Sequence, residues 1–121
     1  MAPDPAIPTS TGIRPGLRTG DRLLITRGDQ GEHVLTGEID QTTARMLREH
    51  LNTTVPERSA VTIDLCSVLY LQSAGVAVLF DQADRNDLCV RVRPGTAVAS
   101  VIRMCGMDHV ATVELVPAPT N

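Results

Sequence analysis

Apolar runs of strand composition alternate along this chain with segments of helical period, and that alternation restricts the fold more than any other feature. Arg22-Leu23-Leu24-Ile25-Thr26-Arg27 reads as a strand, and the turn signal Asp29-Gln30-Gly31 leads to a second, His33 to Ile39, so the pair predicts a hairpin. Asp40 can cap a helix, because its short carboxylate accepts free N–H groups of the first turn. Behind it Ala44, Leu47 and Leu51 recur at helical spacing with Met46 beside them, and Arg45, Arg48, Glu49 and Asn52 take the other face. After Pro56, Ala60 to Leu65 is apolar enough for a central strand, with Asp64 near its end and Ser67 in the loop beyond. Ser73 to Arg85 predicts a second helix, Leu88 to Arg93 a fourth strand, Ala97 to Cys105 a third helix closed by Gly106, and Ala111 to Val116 a last strand. The order strand-strand-helix-strand-helix-strand-helix-strand implies an α/β domain: a mixed, mainly parallel sheet of four to five strands with helices packed mainly on one face.

A chain of 121 residues makes one such domain, and it can bury roughly two-thirds of its unfolded surface without a metal or disulfide. Residues 1–20 carry four of the eight prolines and read as a flexible lead-in, residues 21–116 as the domain, and residues 117–121 as a short tail. The composition also excludes chemistry. Tyr70 and Phe80 are the only aromatics and the formal charge is −3, which argues against a nucleic-acid groove. All 11 basic residues are Arg, so no P-loop or Schiff-base lysine exists. Cys66, Cys89 and Cys105 have no CxxC spacing and read as reduced, mostly buried thiols. His33, His50 and His109 lack metal-ligand spacing and read as isolated surface or satisfied residues. No run approaches the roughly 18 apolar residues of a membrane span, and residues 1–20 lack the apolar core of a secretory signal. The expectation is a cytoplasmic protein without cofactor, metal, nucleic-acid or membrane partner.

The most informative stretch runs from Asp64 to Leu79. An apolar strand there is followed by the small, uncharged helix start Ser73-Ala74-Gly75, which sets a serine hydroxyl at a helix N-terminus. Unpaired N–H groups and the positive end of the helix dipole favour an anion at such a place. Ser73 could equally be an ordinary helix cap. Ala74 and Gly75 lack bulk, so another protein could approach the hydroxyl closely. Hydrolase chemistry is not indicated, since Ser-Ala-Gly is not the Gly-x-Ser-x-Gly elbow.

Gly37-Glu38-Ile39-Asp40, then Asp64-Leu65-Cys66-Ser67-Val68 with Tyr70-Leu71, then Ser73-Ala74-Gly75-Val76-Ala77-Val78-Leu79 follow one another in this order. From about Leu23 to Val116 the chain thereby resembles the STAS domain family, and within it the bacterial anti-sigma factor antagonists. The resemblance implies a switch rather than an enzyme. The unphosphorylated protein would sequester an anti-sigma factor that is also a serine kinase. Phosphorylation of Ser73, by ATP held on the kinase, would end that binding, and a phosphatase would reverse it. Asp40, Gln72, Ser73, Ala74, Gly75 and Val76 are the residues implied to dock on the kinase.

Two positions depart from the family pattern. Gln72 stands where an Asp usually precedes the serine, and Ala74 where a second hydroxyl usually follows. Gln72 carries no charge to orient a hydroxyl or meet magnesium. It motivates the alternative, a non-phosphorylated STAS module acting as a scaffold or as the regulatory subunit of a transporter ATPase. The sequence leaves the oligomeric state open.

Overall fold

The computed structural model describes residues 22–118; the expected lead-in over 1–20 and residues 119–121 of the expected tail lie outside the described residues. Five strands form one sheet in sequence order: β1 (Leu23–Arg27), β2 (His33–Ile39), β3 (Ala60–Leu71), β4 (Asp87–Val92) and β5 (Thr112–Leu115). The β1–β2 hairpin is antiparallel and every later pairing is parallel. Helices α1 (Gln41–Thr54), α2 (Ser73–Arg85) and α3 (Ala97–Met104) make the connections, and a short 3-10 turn, Met107–His109, leads into β5. This is the expected mixed α/β sheet.

Alternation along each strand decides which face is covered. Leu23 and Ile25, Leu35 and Ile39, Val61, Ile63 and Leu65, and Leu88, Val90 and Val92 are buried, in one cluster with Ala44, Leu47 and Leu51 of α1, Val78 and Leu79 of α2, and Val98 and Ile102 of α3. Each Val, Leu or Ile among them contributes roughly 1.5–3 kcal/mol by leaving water. The intervening residues face away from the helices. There Arg91 lies within 3.9 Å of Glu32, 3.7 Å of Asp64 and 3.5 Å of Glu114, a charged row across the open face.

Several boundaries differ from the sequence expectation. β3 continues six residues past Leu65, so Asp64 is a mid-strand residue and Ser67 is an exposed strand residue instead of a loop. The physical reason is tertiary. Residues 67–71 pair with β2, from Thr36↔Ser67 to Ile39↔Leu71, with one register shift just before this stretch and one within it, and each shift breaks the inside-outside alternation that marks a strand. α3 ends at Met104, with Cys105 as its C-cap and Gly106 at φ 79 turning the chain.

The thiols and imidazoles also differ. Cys66, Cys89 and Cys105 are free and half-buried, not buried. Burial, then Asp64, pushes the Cys66 thiol up to about 11, so it stays protonated and inert. Of the two expected alternatives, His33 and His50 are satisfied rather than surface residues, but they are not isolated from each other. Both are buried, and their rings touch, because β2 and α1 bring positions 17 residues apart together.

Candidate partner-binding site

The surface around Ser73 is built by the last rungs of the parallel β2–β3 pair. Ile39 lies opposite Leu71, and the next amide, Gln72 N–H, donates to the Ile39 carbonyl at 2.9 Å. Both strands therefore stop together, and α1 and α2 begin side by side. Asp40 caps α1: its Oδ1 accepts the Thr43 N–H at 2.9 Å, while Thr43 Oγ1 accepts the Asp40 N–H at 2.8 Å. The Arg22 guanidinium pairs with the other carboxylate oxygen. These contacts, the Thr43 amide foremost, hold the Asp40 carboxyl below the usual carboxylate range.

α2 begins differently. Gln72, still extended at φ −89 and ψ 170, is the N-cap residue, and no side chain caps the helix. Ser73 is thus the first helical residue rather than a capping serine, because the rung to Ile39 keeps residue 72 in the strand. Its side chain is exposed, and the first turn holds no acid. The open helix end favours a negative group there. Gln72 does not reach the hydroxyl; its Nε2 donates to the Tyr70 hydroxyl at 3.0 Å.

The residues behind Ser73 divide by burial. Ala74 and Val76 are half-buried and pack on the core. Gly75 is buried, and a Cβ on it would lie 2.5 Å from Ile39 Cγ2 and 2.7 Å from Leu71 Cδ1, so only a glycine lets α2 settle so close to the ends of β2 and β3. Asp40, Gln72 and Ser73 share one end of the domain; Gly75 lies beneath that surface instead of on it.

Three residues of this end escaped the sequence reading as site residues. Leu69 is 77% and Tyr70 51% exposed, on the final stretch of β3, and Arg22 bridges β1 to Asp40. A signal existed for the first two. In the apolar run Val68-Leu69-Tyr70-Leu71, a strand can turn only some of four successive side chains inward. Large exposed apolar residues beside an open helix end suit contact with a protein. Among the described residues no group of three or more His, Cys, Asp or Glu could hold a metal ion, and no helix is long and apolar enough to cross a membrane.

No curated protein matches the chain significantly. The family model described as "Mlab, STAS domain" matches residues 26–117, from within β1 to just beyond β5. That span takes in the whole β2–α1 and β3–α2 corner, so the match and the geometry concern the same elements. On both grounds the chain belongs to the STAS domain family and is a regulatory and binding module of the STAS type.

Proposed function

We propose that this STAS domain is an anti-sigma factor antagonist switched at Ser73. Unphosphorylated, it sequesters an anti-sigma serine kinase in the cytoplasm through Asp40, the Gln72 to Val76 segment, and the exposed Leu69 and Tyr70. The kinase holds the ATP, and the domain is its substrate rather than an enzyme. The observation that carries this reading is the exposed Ser73 hydroxyl at an uncapped, uncharged helix start beside two exposed apolar side chains. A phosphate adds about −1.5 to −2 charges to that contact, and the repulsion and desolvation end it, while the helix end tolerates the anion. A phosphatase restores binding.

The test is incubation of the purified protein with an anti-sigma kinase and Mg-ATP. One added phosphate, lost in Ser73→Ala, is expected; no phosphate, or a phosphate that survives Ser73→Ala, overturns the switch.

One observation favours a second reading. Gln72 is uncharged and its amide is engaged by Tyr70, so residue 72 supplies no carboxylate beside the hydroxyl. A STAS module that accepts no phosphate, working as a scaffold or as the regulatory subunit of a transporter ATPase, fits that feature. Calorimetric titration against each purified partner separates the two: the ATPase alone binds in the second reading, the kinase in the first.

A further inference from the structure

His33 opens β2 and His50 lies near the end of α1, with 2% and 8% exposure. Their rings meet edge to face, centroids 5.4 Å apart and planes at 82°, and His33 Nδ1 lies 3.4 Å from His50 Nε2. The pair joins the start of β2 to the last turns of α1, about 20 Å along the strand from the Ser73 surface. Two facing ring nitrogens accommodate one proton between them; a second on the facing nitrogens sets N–H against N–H, and protonation of both rings brings two like charges together.

The surroundings of His33 oppose positive charge. Arg27 is the register partner of His33 on β1, and Ile63 the partner on β3. Glu32 of the hairpin lines the same cavity and, like Asp64 of β3, lies within ion-pair distance of Arg91; Glu49 lies on the exposed side of α1, and Glu57 and Asp81 go to Arg85. A cavity of about 280 Å³, lined by His33, Arg27, Thr54 and Val55 among others, gives protons a route to the ring. The donor set does not suit a metal, since Arg27 adjoins it and no third ligand joins the two imidazoles among the described residues.

We propose that the His33–His50 contact is an acid-sensitive latch that fastens the C-terminal half of α1 to β2 and lets go on protonation. Burial, then Arg27 and His50, pushes His33 down from 6.5 to about 4, whereas a ring freed by opening returns to its ordinary value. Opening therefore takes up a proton. By linkage for this one ring, the opening equilibrium at pH 5 is about 30-fold above its value at neutral to alkaline pH.

Hydrogen exchange of the full chain at pH 7.5 and pH 5, corrected for intrinsic rates, tests it. The amides of residues 47–54 are expected to open roughly 30-fold more at pH 5 and to exchange ahead of those of β3 and β4, and His33→Phe is expected to flatten the difference. Exchange in residues 47–54 that ignores pH, or that stays as slow as in β3 and β4 at pH 5, overturns the latch. Should His33→Phe not fold, ring titration of the wild-type protein by NMR decides: two independent rings titrating near 6.5 sink the proposal. Stoichiometric binding of Zn²⁺ that restores protection at pH 5 would assign the pair to a metal instead.

Discussion

Ser73 and Gly75 stand two positions apart in one helical turn and are constrained in opposite ways. The Ser73 side chain faces open space, so Ser73→Asp should leave stability within about 0.5 kcal/mol by denaturant titration, while weakening kinase affinity at least tenfold by calorimetry. Gly75 has no such freedom. Gly75→Ala gains up to about 1 kcal/mol of helix propensity, but its methyl must displace Ile39, which is fully buried and β-branched. Overpacking of this kind costs roughly 1–3 kcal/mol, so a net loss is expected on urea unfolding. Gln72 offers a gain: it occupies an N-cap position in extended conformation yet makes no capping bond. Gln72→Asp should accept a first-turn N–H and raise stability by about 1 kcal/mol, more than the exposed bond to Tyr70 that it gives up.

The two helix starts at this end depend on different devices. α1 relies on the reciprocal Asp40–Thr43 cap, so Asp40→Ala should lower the melting temperature by about 4–8 °C. Because the folded Asp40 carboxyl lies below its ordinary 3.8, its share of stability is complete above that value and disappears as pH falls through the folded value. His33 has the same direction in a higher window, losing stability from 6.5 down to about 4. Acid unfolding of the wild type should therefore begin above pH 5 by circular dichroism, and Asp40→Asn should alter only its lower part. The hairpin, α1 and α2 were legible in the sequence because turn residues, the Asp40 cap and the 3.6-residue spacing are local signals. The upper half of β3 was not. Its buried positions run 61, 63, 65, 68 and 71, a spacing set by slips against β2 that only the partner strand explains. The His33–His50 contact was illegible for a similar reason, since nothing local marks a meeting across 17 residues.

At the scale of the whole molecule, charge and shape come apart. One phosphate would take the domain from −3 to nearly −5, which native electrophoresis resolves as a single faster band. Leu69, exposed on the last stretch of β3, supports no core contact that its loss would break. Leu69→Asp should thus melt like the wild type and still lose the partner by more than tenfold in affinity. The sequence pointed to this end through the order of its three motifs, and the family resemblance put Asp40 near Ser73. It missed Leu69 and Arg22, whose roles depend on how far β3 runs and where β1 begins. The close seat of Gly75 on Ile39 and Leu71 bears on all of this. A helix wedged so tightly at its first turn has nowhere to travel when its neighbour Ser73 gains a phosphate. On the proposed reading, both forms share one backbone, the signal is stored in a covalent bond rather than in a rearranged fold, and its lifetime is set by the phosphatase and not by any relaxation of the domain.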